Sequence, residues 1–374
     1  MSTIEELWSQ SAAEIARSLR DGKTTALALT EHAIARHDAL GEKLHAYLTW
    51  RPEMALEAAE AADAVFSAGM DRGLLQGLPI SIKDLYGIQD YPTYAGSANR
   101  LASKWEQEGP VVQDIKSQLA VITGKTHTVE FAAGGIGDNV HWGAPWNPWD
   151  KNNHRGPGGS SSGAGVSLWE GSALVAFGSD TMGSVRIPAS MTGVVGLKMT
   201  YGRWSEQGIV PLRSVQDTPG PLTRSVVDAA FVFAALDAVH RRDPQKILSQ
   251  FDSTELSGMK FGVADPCFWE GCALNIAEIV QDSISKLESA GAKVIDAPSP
   301  ETAELLSVVM TGGLPNNELI VFLDAEVPNW QEQVDPALRG RLEKGSAQTA
   351  IEFIQREKWL AGLRQRAPKN FESV

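Results

Sequence analysis

Residues 157–186 constrain this chain more than any other stretch. They read PGGSSSGAGVSLWEGSALVAFGSDTMGSVR: a loop dense in glycine and serine, an apolar run, then a second polar turn containing glycine. Glycine permits φ > 0 and leaves N–H groups uncovered. Successive uncovered N–H groups form an anion-binding concavity. A serine beside such a concavity suits acyl transfer, because the oxyanion forms next to the nucleophile. Both turns present serines where backbone can approach a ligand closely.

The surrounding texture predicts an α/β fold. Residues 78–82, Leu-Pro-Ile-Ser-Ile, predict a buried strand that ends on Lys83-Asp84. Ser11-Ala-Ala-Glu14 is a capping box for a helix that stops at Asp21-Gly22. Further helices are predicted over 25–40, 52–70, 111–119 and 225–236, with Pro52 opening the third helix of the chain. Strands are predicted over 120–123, 173–177 and 194–197, with a short helix after Ser184. Residues 260–264, 275–290 and 292–296 predict strand, helix and strand, with Gly291 as the helix stop, and helix-rich sequence follows to Val374. Strands alternating with helices imply a mostly parallel sheet covered on both faces. No internal repeat and no low-complexity segment interrupts this pattern.

Charge and composition narrow the function. The 374 residues carry 33 basic and 46 acidic side chains, a formal charge of −13. A nucleic-acid surface needs clustered Lys and Arg, so no nucleic-acid partner is expected. No apolar run reaches membrane-spanning length. The N-terminal MSTIEELWSQS lacks a basic segment followed by an apolar one, so no signal peptide is expected. Cys267 and Cys272 fit no common zinc spacing and read as two free core thiols, which implies a reducing, cytoplasmic location. The seven histidines form no HExxH or comparable set, so neither a metal nor a cofactor is expected. The loop over 134–165 is long enough to be functional. Its Trp142, Trp146 and Trp149 read as packing it down or as touching substrate.

Three serine-based readings compete. Gly159-Ser-Ser161-Ser-Gly163 matches G-x-S-x-G, but that motif must follow a strand, and His240 is the single histidine after it. Ser257-Gly-Met-Lys260 matches S-x-x-K, but Gly258 leads into a strand rather than a helix. The third joins Lys83 to serines of both turns. Lysine is rarely buried. A salt bridge to Asp84 or Asp180 would account for Lys83 equally well.

The combination of motifs decides between them. Pro79-Ile-Ser-Ile-Lys83-Asp84, Pro157-Gly-Gly-Ser160-Ser-Ser-Gly163, Gly178-Ser-Asp180-Thr-Met-Gly-Ser184-Val-Arg186-Ile-Pro188, Gly196-Leu-Lys198 and Asp217-Thr-Pro-Gly220-Pro221 resemble the amidase signature family, in its order and spacing, across residues 10–300. The resemblance implies a large, mixed, mostly parallel twisted sheet sandwiched by helices. It implies a Ser-Ser-Lys triad: Ser184 as nucleophile, Ser160 as bridging serine preceded by a cis peptide, Lys83 as base. It implies an oxyanion hole from the N–H groups of Thr181, Met182, Gly183 and Ser184, with Asp180 and Arg186 bracing the loop. Such chemistry needs no histidine and no metal, since a serine hydroxyl requires only an adjacent base.

Two departures from the family pattern stand out. Met182 replaces a glycine before the nucleophile, keeps N–H donation only with a negative φ, and is expected to narrow the pocket. The family's C-terminal segment is missing, as in a fragment, a short member, or a protein completed by a partner. The expectation is one amidase domain over 1–374, with N-terminal helices to 75, a catalytic core over 76–300 and a helical segment over 301–374. It hydrolyses a small-molecule amide, ester cleavage being a side activity, and forms a homo-oligomer or pairs with a different protein as partner. The alternatives are a glutaminase component of an amidotransferase complex and an inactive scaffold.

Overall fold

The structure is a computed structural model and describes residues 4–252, 255–263, 266–297, 299, 301–310 and 316–372. The chain forms two compact units, Met1–Ser249 with Val321–Arg339, and Gln250–Ile320 with Gly340–Val374.

A six-stranded sheet organises the first unit. Its strands are β1 (Tyr47–Trp50), β2 (Pro79–Lys83), β3 (Val121–Thr126), β4 (Val175–Asp180), β5 (Val195–Gly196) and β6 (Thr218–Thr223), in the spatial order β1-β3-β2-β4-β6-β5. The centre is parallel: β2 pairs with β3 on one side and β4 on the other. The flanking pairs β1–β3, β4–β6 and β5–β6 are antiparallel, so four of the six strands point the same way. Every residue of β2, β3 and β4 is buried, as a sheet covered on both faces requires. Leu78, Ile80 and Ile82 are fully enclosed. Burial of each such side chain contributes about 1.5–3 kcal/mol.

The local signals behave as the sequence dictates. Ser11 caps the helix Ala12–Arg20 with a complete capping box, and Thr25 caps Ala26–Leu44. Each such cap is worth about 0.5–2 kcal/mol. Pro52 opens Pro52–Ser67, Ser225 caps Val226–Leu236, and Arg186–Thr192 follows Ser184. The helix Ser162–Glu170 packs on the sheet, where Ser167 Oγ meets Ser81 Oγ at 2.8 Å. Close approach here needs Gly178, since a Cβ there would lie 2.5 Å from Ser161 Oγ.

Two strands escape the sequence reading. β1 has four residues. β6 reads Thr-Pro-Gly-Pro-Leu-Thr, which propensity rejects as an interior strand. It survives because the Pro221 carbonyl, and with it the proline nitrogen, faces the two-residue β5, where it accepts from Leu197 N–H at 3.0 Å. Pro219 lies on the same side, so neither proline removes a donor from the β4 ladder.

The second unit contains the parallel pair β7 (Lys260–Val263) and β8 (Lys293–Asp296), joined through the helix Leu274–Ser289. Ala264, predicted as part of β7, lies outside the described residues. Helices Glu301–Met310 and Ala350–Arg366 also belong to this unit. Cys267 and Cys272 are free but half-buried rather than core, because they lie in and after a short 3-10 turn with exposed neighbours. No helix among the described residues is long and apolar enough to cross a membrane.

Candidate active site

The parallel strands β2 and β4 deliver Lys83 and Asp180 to the same sheet edge, at their carboxyl ends, where open α/β sheets place their ligands. Lys83 is fully enclosed. Its Nζ lies 2.7 Å from Ser160 Oγ and 3.0 Å from Ser179 Oγ. The nearby carboxylates are engaged elsewhere. Asp84 turns to Lys125 at 2.7 Å, and Asp180 pairs with Arg186 at 3.0 Å. The salt-bridge explanation for Lys83 is therefore replaced by a hydroxyl environment. Burial pulls the Lys83 amine down from 10.5 to about 7, against the opposing fields of Asp180 and Asp217.

Ser160 is fully buried behind a cis Gly159–Ser160 peptide, and its carbonyl accepts from Val129 N–H at 3.0 Å. Ser184 is buried at the close of the second turn, with 8% of its surface exposed. The turns meet through Ser161 N–H, which donates to the Ser184 carbonyl at 3.2 Å. The structure thus forms the Lys83–Ser160 hydrogen bond and lines up Ser184 by backbone rather than by a hydroxyl pair.

Asp180 holds the second turn together. Its carboxylate accepts from the N–H groups of Gly183 (2.8 Å) and Val185 (3.1 Å) and from the Arg186 guanidinium. Burial pushes this carboxyl up, but Arg186 and these N–H groups outweigh it, and it stays below its ordinary value. Gly183 N–H is therefore turned inward, which removes it from the four donors assigned to an oxyanion hole. Gly183 takes φ 118, a left-handed conformation suited to glycine, whereas Met182 has no positive φ.

A cavity of about 280 Å³ opens beside the turn, lined by Ser179, Thr181, Glu206 and Asp217 with apolar residues such as Leu85 and Val210. Met182 is 40% exposed and takes no part in this lining, so it does not narrow this space. Asp217 accepts from Thr181 Oγ1 and from the N–H groups of Leu212 (2.8 Å) and Arg213 (2.9 Å). Burial raises the Asp217 carboxyl, and that of Glu206 more visibly, to about 7. A larger cavity of about 650 Å³, lined by Trp8, Trp149 and Trp169 among others, shares no residue with this region.

Ser179, Asp217 and Glu206 were not singled out by sequence reasoning. Ser179 and Asp217 sit inside quoted motifs, so the available signal was position within a motif rather than residue type. The competing serine motifs lose their chemistry here. Ser161 Oγ is buried against the Ser179 backbone, and Lys260 opens β7. Trp142 and Trp149 anchor the long loop by donating to the carbonyls of Ser97 (2.8 Å) and Thr192 (2.7 Å). Among the described residues, no cluster of His, Cys, Asp and Glu could hold a metal ion.

Comparison with known proteins identifies the family. The Amidase family model matches residues 28–332. The chain is 44% identical over 364 residues to the 2-amino-5-chloromuconic acid deaminase of Comamonas testosteroni, covering 97% of this chain and 78% of that one. It is 34% identical over 313 residues to a glutamyl-tRNA(Gln) amidotransferase component of Thermobifida fusca, covering 81% of this chain and only 62% of that relative's length. A solved amidase crystal structure superposes with a TM-score of 0.84 at 30% identity, over 98% of this chain and 80% of the other. Lys83, the serines and the glycine turns thus sit in a fold already built for such chemistry, and the chain belongs to the amidase family, enzymes that hydrolyse C–N bonds.

Proposed function

We propose that the chain hydrolyses a carboxamide through an acyl-enzyme on Ser184, with Lys83 as base and Ser160 as the proton carrier between them. One observation carries this reading: a fully enclosed lysine whose Nζ is 2.7 Å from a serine hydroxyl and has no carboxylate partner among the described residues, and burial lowers its amine to about 7. A neutral amine accepts a proton, and only a neutral lysine can serve as a base.

The steps balance. Ser160 gives its proton to Lys83 Nζ and takes the Ser184 proton as Ser184 Oγ bonds to the carbonyl carbon. The carbonyl oxygen becomes an oxyanion beside the N–H groups of Thr181, Met182 and Ser184, donors of the kind worth about 2.7–4 kcal/mol each. The proton returns by the same route to the leaving nitrogen as the C–N bond breaks. Water then attacks the acyl-enzyme by the same relay and releases the carboxylate. The deaminase relative supports ammonia as the leaving group.

A serine-directed fluorophosphonate followed by peptide mapping tests the assignment. Labelling is expected at Ser184. Labelling at Ser161, or labelling that survives Ser184→Ala, overturns it. The amidotransferase relative supports a second reading, in which the same chemistry hydrolyses glutamine and a partner protein receives the ammonia. Glutaminase activity that appears only with such a partner would favour it. Association, with a partner or a second copy, belongs to the proposal in either case.

A further inference from the structure

The cavity beside the second turn contains a carboxyl that the proton relay does not use and that no neighbour satisfies. The Glu206 side chain lines it, half-buried, and makes no hydrogen bond or ion pair among the described residues. Its neighbours in the lining are Asp217, already satisfied by Thr181 and two N–H groups, and apolar side chains such as Leu85, Val210 and Leu212. An unpartnered carboxyl in an apolar space has a standing desolvation cost that a ligand can remove.

We propose that Glu206 is a specificity-determining residue that receives an amino group at the far end of the substrate's acyl arm. This rests on the acyl-enzyme reading above and deepens it. Lys83, Ser160 and Ser184 do not line the cavity, but it adjoins them through Ser179, which contacts Lys83, and Thr181, which opens the turn that ends on Ser184. Its walls supply two carboxyls and no Lys or Arg among their lipophilic surfaces, apart from neutral polar groups. An ammonium is attracted to such walls, and a carboxylate is repelled. A volume of 280 Å³ has room for a short chain with a terminal amine. The substrate class is therefore a short aliphatic carboxamide with a terminal amine. Burial holds the Glu206 carboxyl near 7, with Asp217 adding to the shift, so the preference depends on pH.

Three primary amides of similar length test this: 5-aminopentanamide, hexanamide and glutaric monoamide. Ammonia release gives kcat/KM for each, and a fluorophosphonate reports Ser184 independently. The aminoamide is expected to exceed hexanamide about tenfold or more at pH 8, and the monoacid to be slowest. In Glu206→Gln the amine-to-methyl ratio should collapse towards one, and Glu206→Asp should restore part of it. The wild-type ratio should fall below pH 7 as Glu206 gains a proton, Asp217 and Lys83 being the other titrating groups nearby. Equal rates, faster cleavage of the monoacid, an unchanged ratio in Glu206→Gln, or no turnover of the three while Ser184 still labels would each overturn the inference and leave Ser184 in place. Failure to label Ser184 would overturn the acyl-enzyme reading itself.

Discussion

Lys83 and Lys125 are neighbours in the sheet. They lie on the adjacent strands β2 and β3, paired in parallel, and both side chains are fully enclosed. Their surroundings differ in one respect. Lys125 meets a carboxylate, Asp84 at 2.7 Å, and spends its other donors on the Pro92 carbonyl (3.0 Å) and Thr93 Oγ1 (2.7 Å). Lys83 meets two hydroxyls. Burial lowers both amines, but Asp84 directly opposes the shift at Lys125. Burial alone therefore does not make a base. What sets Lys83 apart is enclosure with no carboxylate in direct contact, since Asp84 turns to Lys125 and Asp180 to Arg186, leaving only the more distant fields of Asp180 and Asp217 to oppose the shift.

The largest effect that could break this comparison is on turnover. Ser184→Ala and Lys83→Met should each lower kcat/KM by roughly 10⁴-fold or more, with Ser160→Ala close behind. Because the three act as a unit, the Ser160→Ala/Ser184→Ala double mutant should be scarcely worse than Ser184→Ala. A Lys83→Met protein that retains activity would erase the distinction between the two lysines. Next comes stability at the other lysine. Lys125→Met leaves Asp84 buried without its cation, held only by the N–H groups of Tyr94 and Gly96, and should cost about 3–5 kcal/mol in urea unfolding. A loss below about 1 kcal/mol would mean that Asp84 is not held as an ion.

Lys83→Met should do the opposite, keeping or gaining stability near pH 7, because it removes a buried amine whose charged form is penalised by burial. The sign follows from its depressed folded value. Below about 7 the side chain is charged both folded and unfolded. Between about 7 and 10.5 the unfolded chain holds the extra proton, so this residue makes stability rise with pH. The melting-temperature advantage of Lys83→Met should therefore shrink from pH 7 to pH 10, and an advantage that grows would contradict a neutral lysine. The wild-type kcat/KM should show an acid limb near pH 7. Ser179→Ala is the smallest change. It removes one acceptor from the charged amine, so the limb should move to lower pH by less than a unit, with turnover changed severalfold at most.

The sequence marked the lysine-ended strand and the two serine turns more clearly than some of the strands around them. Lys83 was legible because an apolar β-branched run ends there, and the serines because glycine turns announce themselves. β6 was not, since its prolines are tolerated only through the position of a two-residue neighbour. Nor were contacts set by long-range pairing. The Asp335 N–H donates to Glu130 across 205 residues, and Trp105 donates to Glu326 across 221. Hydrogen bonds of that span depend on the finished packing and leave no local pattern. The same holds for Gly183. Its type is visible in the motif, but the direction of its N–H is fixed by Asp180, and only the structure shows it facing inward.

The Asp180 carboxylate has a further consequence. It gathers the second turn by backbone N–H groups and by Arg186 at once, so the conformational freedom of that loop is lost during folding rather than during reaction. Under the proposed mechanism, the backbone around Ser184 is consequently set before any substrate arrives, and little reorganisation remains for the moment when negative charge develops. Because Asp180 remains ionised below the ordinary carboxylate range, this scaffold outlasts the neutral form of Lys83 as acid is added. If Lys83 is the base proposed above, activity lost at mildly acidic pH is therefore expected to return on neutralisation without refolding.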